Sequence, residues 1–395
     1  MAIGKNICVV PFTQITYGAF DNASPCPYLG GDIWHFDSNT TLTDIWLSPE
    51  YEALRQSFKQ NDKNEICSRC WREEEHGKQS ARKLELISSK YKKEIVNVVE
   101  VDYKLGPKQI NLRVSNICNL RCRPCNGQSS STYSIEGKYY EEKNNLPQTT
   151  YTRLSDPTQF SDKQIDGIYE LSNNLRYIGF YGGEPLVDKP TLRLLEKLVE
   201  SGRSKQITLY YNTNGISVPT AKHLDLWRHF ESIEFKFSID AIDKQFTYIR
   251  HPGKWQELLE NVNFIKNDLS NLIGIPVSCG IICTVQILNV FYLPEIISAF
   301  DTFEMSCFLN LVTKPAYYDI RHIPTDVKQQ IIDKLSLMQQ KSDIASIISI
   351  LKSEYNPKHW EEFKFWTRQK DAYRKENFAA TFPEFFKIIT ELGHW

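Results

Sequence analysis

The sequence predicts an α/β protein with a parallel sheet, on two observations. From about residue 108, short runs rich in β-branched and aromatic residues recur along the chain, and between them lie stretches with the apolar period of a helix. The strand candidates are QINLRVS (109–115), LRYIGFY (175–181), ITLYYNT (207–213), IEFKFSI (233–239), VSCGIICTV (277–285) and FLNLVT (308–313). The helical patterns include PTLRLLEKLVES (190–201), KWQELLENVNFIKNDL (254–269) and NVFYLPEIISAF (289–300). Strand, helix and next strand in that order form a crossover unit, which pairs its strands in parallel. Six such units, rather than eight, give an incomplete barrel or an open sheet.

The flanks differ in character, and the expected domains are 1–95, 105–318 and 319–395. The first region carries Cys8, Cys26, Cys67 and Cys70; the last is helical, then aromatic and basic (HWEEFKFWTRQKDAYRKENFAATFPEFFKIITEL). The segment DAYRKENFAATFPEF is open to two readings, closure of the barrel mouth or an ordinary packed helix and loop. Residues 126–160, polar and tyrosine-rich, lie on the side of the sheet where α/β sites form; they read as a substrate-contacting lid or as a surface insertion.

The 395 residues are 41% hydrophobic and 24% charged with a net charge of −1, so no overall field draws the chain to nucleic acid or to an anionic membrane. No apolar run approaches the roughly 20 residues of a membrane span, and MAIGKNICVVPF lacks a charged segment leading into an apolar one. A cytoplasmic location is expected, where thiols stay reduced. Ten cysteines there point to metal, catalysis or burial rather than disulfides. Cys279, Cys283 and Cys307 sit in apolar strand-like runs and read as small buried hydrophobes.

The other tight group is SNICNLRCRPCNGQSS (115–130), where Cys118, Cys122 and Cys125 are spaced CxxxCxxC directly after a strand. Thiolates ligate four-iron clusters, normally four at a time. Three on one loop leave one iron free to bind a small molecule. Structural zinc prefers closed four-ligand sites built from paired knuckles, which this spacing does not form.

This spacing resembles the radical S-adenosylmethionine (SAM) superfamily, although Pro124 stands where that family usually has an aromatic residue before the third cysteine. Further motifs follow in the family's order, each after a predicted strand: YGGEPL, NTNG, SID with YIRHPGKW, TVQILNV and LVTKP. The resemblance implies a partial (β/α)6 TIM-like barrel over about 108–315 and a [4Fe–4S] cluster on Cys118, Cys122 and Cys125. It implies that Gly182, Gly183 and Glu184 meet the SAM amino group, that Arg250 pairs with its carboxylate, and that Val285 and Val312 flank adenine. Asn212, Asn214, Ser238 and Asp240 would line the pocket, with Tyr211 and Arg121 beside it.

Cys8, Cys26, Cys67 and Cys70 make a closed four-thiol set, which by spacing fits either Zn(Cys)4 or a second four-iron cluster. The order C…PF…CP…LTDIWLSPEYEALRQSF…CSRCWREEEHGKQSARK resembles the auxiliary-cluster (twitch, SPASM-like) modules of radical SAM enzymes, here ahead of the barrel. The resemblance implies a second [4Fe–4S] cluster. Trp46, Tyr51 and Leu54 are expected to pack, His35 and His76 to be ordinary histidines, and Glu73–Glu75 to form a solvated helix face.

The implied activity is reductive cleavage of SAM to a 5′-deoxyadenosyl radical that abstracts hydrogen from substrate, with flavodoxin or ferredoxin as electron donor. A peptide or protein substrate is expected, undergoing crosslinking, epimerisation or backbone excision. The alternatives are a small molecule (sugar, amino acid or nucleotide) and a non-catalytic iron–sulfur or zinc scaffold.

Overall fold

The computed structural model describes residues 5–26, 34–35, 40–77, 79–87, 102–144, 157–338 and 342–395, with backbone alone at 34, 35, 87 and 342. Outside them lie Pro27, the side chain of His35, the expected boundary at residue 95 and the 145–156 part of the tyrosine-rich stretch.

One mixed sheet organises the chain. Its strands are β1 (Gln14–Gly18), β2 (Asn22–Ser24), β3 (Trp34–His35), β4 (Gln109–Arg113), β5 (Tyr177–Tyr181), β6 (Thr208–Thr213), β7 (Ser232–Ser238), β8 (Val277–Val285) and β9 (Ser306–Leu311). The order is β3-β2-β1-β4-β5-β6-β7-β8-β9. Strands β4 to β9 are the six expected from sequence, all parallel, and the sheet is open. The sequence reading missed β1–β3. The run QITYG, from the N-terminal region, pairs parallel with β4 (Ile15 opposite Ile110, Tyr17 opposite Leu112) and extends the barrel sheet. Its neighbours β2 and β3 add on antiparallel.

Strand alternation gives this sheet two unlike faces. Ile233, Phe235 and Phe237 of β7 are fully buried, as are Ile178 and Phe180 of β5, and they pack with Leu194, Leu195 and Leu198 of the helix Pro190–Glu200 in one core. The other face carries Tyr181, Tyr210, Asn212, Glu234, Lys236 and Asn310, all half-buried. A parallel sheet normally hides both faces behind helices; a polar second face is that of a barrel wall around a chamber. The same alternation corrects one expectation. Tyr211 lies on the core face, stacked on Phe180 and Phe235 and accepting a hydrogen bond from Trp227 Nε1, away from the chamber beside Asn212.

The stretch after the cysteine loop is a helix, Ser131–Asn144, whose Tyr140 packs edge-on against Trp366. The aromatic tail joins the barrel core, with Phe382 against Tyr248 and Tyr292 and Phe385 stacked on Phe291. Trp360 and Phe363 of the helix Pro357–Arg374 meet Phe378, Phe382 and Phe385 of the last turns, all buried. Trp46, Tyr51 and Leu54 are buried as expected, with the Arg55 guanidinium sandwiched against Trp46, Tyr51 and Tyr103. The acidic run is not simply solvated: Glu74 takes Arg82 Nη2 at 2.6 Å and Ser80 Oγ at 2.5 Å. Among the described residues no helix is long and apolar enough to cross a membrane.

Candidate active site

Strand β4 delivers the chain to the cysteine loop, and the turn after β5 holds that loop down. Gly182 and Gly183 have φ of 73° and 51°, which glycine alone adopts without strain. A Cβ on Gly183 would stand 2.4 Å from the Ile117 carbonyl oxygen, and the Glu184 N–H donates to that carbonyl at 2.8 Å. The close approach that needs these glycines is therefore to the chain's own backbone, just ahead of Cys118.

Glu184 is fully buried and joins two strand ends. Its carboxylate accepts from Thr213 Oγ1 (2.8 Å) and from the N–H groups of Asn214 (2.8 Å) and Leu186 (3.1 Å). Burial outweighs these donors and pushes its pKa up to about 7. Asn214 continues the link, donating to Asn119 Oδ1 at 2.8 Å with its Nδ2 3.9 Å from Cys118 Sγ. Arg250 closes the other side, with Nη2 2.9 Å from Asp240 and Nη1 4.0 Å from Cys122 Sγ. Its Nε is buried without a partner. Asp240 also accepts the Thr284 N–H at 2.8 Å.

The thiols are electrostatically unequal. Burial pushes Cys118 up to about 12. Cys122 is drawn down to about 7 by the hydrogen bond from Cys125 and by Arg250, while Cys125, as donor in that bond, is raised.

Residues far apart in sequence, from the ends of β4 to β7, meet here: Cys118, Cys122, Cys125, Gly182, Gly183, Glu184, Asn214, Asp240 and Arg250. Asn212 and Ser238 lie on the chamber face, bonded to each other at 3.2 Å. Val285 does not join them; it is fully buried within the core, and its carbonyl accepts the Val312 N–H at 3.0 Å. Arg121 contacts His251 Nε2 (3.3 Å) and Glu136 (3.9 Å) instead of the pocket. Sequence reasoning missed Gln286, which follows β8 with its side chain buried and neither amide atom partnered. A lone glutamine after an apolar strand carries no sequence signal of that.

At the N-terminal site, Cys8, Cys26, Cys67 and Cys70 line one largely apolar cavity of about 30 Å³ together with Val10, Leu54 and Arg82. Burial raises Cys8, Cys67 (to about 12) and Cys70. Among the described residues no three His, Cys, Asp or Glu side chains are grouped as ligands of a single metal ion. His76 binds Ser349 Oγ at 3.1 Å. Cys283 is wholly buried in the core, with Cys279 and Cys307 packed at its edge.

Against known families, residues 112–282 match the model of the radical SAM superfamily. The chain carries a radical SAM domain. Residues 8–71 match a second model, the SPASM iron–sulfur cluster-binding domain, in a segment that begins at Cys8 and contains Cys26, Cys67 and Cys70. No curated protein matches the chain. Solved structures resemble it distantly. One is anSMEcpe with bound AdoMet, at 14% identity and TM-score 0.39, over 58% of this chain and 59% of that one. Another is SuiB from Streptococcus suis bound to S-adenosylmethionine, at 13% identity and TM-score 0.33, over 97% of this chain and 75% of that one. A third is the methyltransferase TsrM from Kitasatospora setae, at 13% identity and TM-score 0.33, over 52% and 34%. The chain spans about three fifths of the length of anSMEcpe.

The radical SAM domain implies a [4Fe–4S] cluster and SAM, and the SPASM domain implies auxiliary iron–sulfur binding. The residues present fit both. The triplet offers soft sulfur donors, one of them beside the Arg250 guanidinium that favours its thiolate, and the orphaned Arg250 Nε–H is a buried donor suited to an anionic ligand. The N-terminal set offers four thiols on one cavity wall.

Proposed function

We propose that this chain is a radical SAM enzyme acting on a peptide, with Cys118, Cys122 and Cys125 holding the SAM-binding cluster and Cys8, Cys26, Cys67 and Cys70 an auxiliary one. The observation that carries the reading is the convergence of the triplet, Glu184, Asn214 and Arg250 at the C-terminal ends of parallel strands. When bound, the cluster supplies the electron that cleaves SAM to a carbon radical able to abstract hydrogen from substrate.

The chain's own groups bind and orient. Glu184 has three acceptor sites occupied by loop donors and about one left for an ammonium. Arg250, held by Asp240, offers its Nε–H to a carboxylate. Gly182 and Gly183 fix the turn that places Glu184. Val312, which follows β9, is the residue assigned to flank adenine. A peptide is supported by the chamber face, whose amide, hydroxyl and charged side chains suit a chain of hydrogen-bonding groups. The pairing of this barrel with a SPASM domain supports it too, since auxiliary-cluster members of the superfamily frequently modify peptides.

The deciding experiment is anaerobic reconstitution followed by mass spectrometry against candidate peptides. About eight irons per chain and reductant-dependent 5′-deoxyadenosine are expected; zinc alone, or no spectral response to SAM, refutes the reading. Turnover of a sugar or nucleotide in place of any peptide moves the substrate to the small-molecule alternative.

One pH dependence follows. Glu184 titrates near pH 7, and an ammonium pairs only with its ionised form. SAM affinity, measured by calorimetry on the reconstituted protein, should weaken about tenfold from pH 8 to pH 6. Glu184→Gln should bind weakly at both values and lose that slope.

A further inference from the structure

The C-terminal tail packs on the cysteine loop through charged, buried contacts. At the end of the helix Pro357–Arg374, Lys370 Nζ donates to the Arg123 carbonyl (2.6 Å) and Arg374 Nη2 to the Arg121 carbonyl (2.6 Å). These two carbonyls bracket Cys122. The spacing of four residues puts both side chains on one helix face. Arg374 is fixed in turn by Glu136, at 3.0 Å from Nε and 2.9 Å from Nη2.

The loop also reaches back to the tail. Arg123 Nη2 lies 2.5 Å from Asp371 and 2.6 Å from Glu376, and its guanidinium stacks 3.4 Å from the Tyr248 ring centre. Asp371 additionally accepts from Tyr248 Oη and the Phe378 N–H, both at 2.7 Å, and Glu376 from His251 Nδ1 at 2.7 Å. The side chains of Arg123, Glu136 and Arg374 have no solvent exposure, and Lys370 is fully buried. Burying so many charges is a poor way to stabilise a fold, because apolar side chains of like volume do as well or better. What such a network supplies is a single defined geometry.

We infer that Lys370, Asp371, Arg374 and Glu376 are positioning residues for the cluster of the triplet, fixing the loop backbone on both sides of Cys122. This rests on the proposed assignment of that cluster. The tail then governs how firmly iron is held and how it is presented to SAM, although none of its residues touches the sulfur donors.

The test compares wild type with Lys370→Met and with Asp371→Asn/Glu376→Gln, all full-length and reconstituted anaerobically. Three readouts are taken: iron release to a chelator, the electron paramagnetic resonance signal of the reduced cluster with and without SAM, and the thermal midpoint of the cluster-free chain. Lys370→Met replaces a buried amine, whose charged form burial disfavours, with an apolar side chain and should leave that midpoint unchanged or raised. It should nonetheless release the SAM-responsive iron about tenfold faster, the loss of one buried hydrogen bond, with a broadened signal. The double variant should release that iron faster still, with a lowered midpoint because it strands the buried Arg123 guanidinium. Wild-type release and signal in Lys370→Met, with the cluster present, overturns the inference and leaves the proposed function standing. A wild-type protein with no SAM-responsive signal removes the proposed function, and the inference with it.

Discussion

Cys118→Ala is expected to abolish 5′-deoxyadenosine formation while leaving the protein folded. Cys118 contributes little to the fold: its Sγ accepts one N–H, from Leu120 at 3.4 Å, and lies 3.9 Å from Asn214 Nδ2. Two thiolates cannot replace three for a four-iron cluster, so iron should fall to about half of the wild-type content, the remainder residing on Cys8, Cys26, Cys67 and Cys70. Anaerobic iron and sulfide analysis with product chromatography checks both halves. Undiminished 5′-deoxyadenosine in this variant would show that the triplet is not where SAM is cleaved.

Arg250→Met is expected to cost both stability and SAM binding, and the two losses can be separated. Asp240 is 1% exposed and has Arg250 as its counter-charge at 2.9 Å. Stranding one partner of such a pair costs about 3–5 kcal/mol, visible as a lowered thermal midpoint. Adding Asp240→Asn removes the stranded charge and should restore most of the midpoint, since a neutral replacement of a buried pair is often tolerated. SAM affinity should stay lost in the double variant, because the guanidinium that meets the carboxylate is still missing. Recovery of SAM binding together with stability would reduce Arg250 to a structural role.

The cysteine triplet and GGE were readable because covalent spacing within one loop already fixes their chemistry. The six barrel strands were readable because their alternation is local, as in SIEFKFS, where each second residue is apolar. Less was legible where a residue's partner is distant in sequence. Val285 looks like a pocket residue from its place after the fifth barrel strand, but the two-residue period of β8 turns it into the core beside Cys283. The same period took Tyr211 from the pocket to the core. Glu74 reads as one of three solvated acids until Arg82 folds onto it.

The tail shows the limit most clearly. DAYRKENFAATFPEF reads locally as a charged helix and an aromatic turn, and nothing in it names the cysteine loop some 250 residues earlier as its partner (Arg123 to Asp371, Arg123 to Glu376).

The sequence by itself determined the barrel's strand succession, the sulfur-rich loop and the likeness to SAM chemistry, because each is written in neighbouring residues. Only the tertiary structure decided that QITYG joins the barrel sheet, that four scattered thiols share one cavity, and that the C-terminal helix grips the loop around Cys122. The physical reason is that pairing, burial and charge compensation are settled between side chains that only the folded chain brings together.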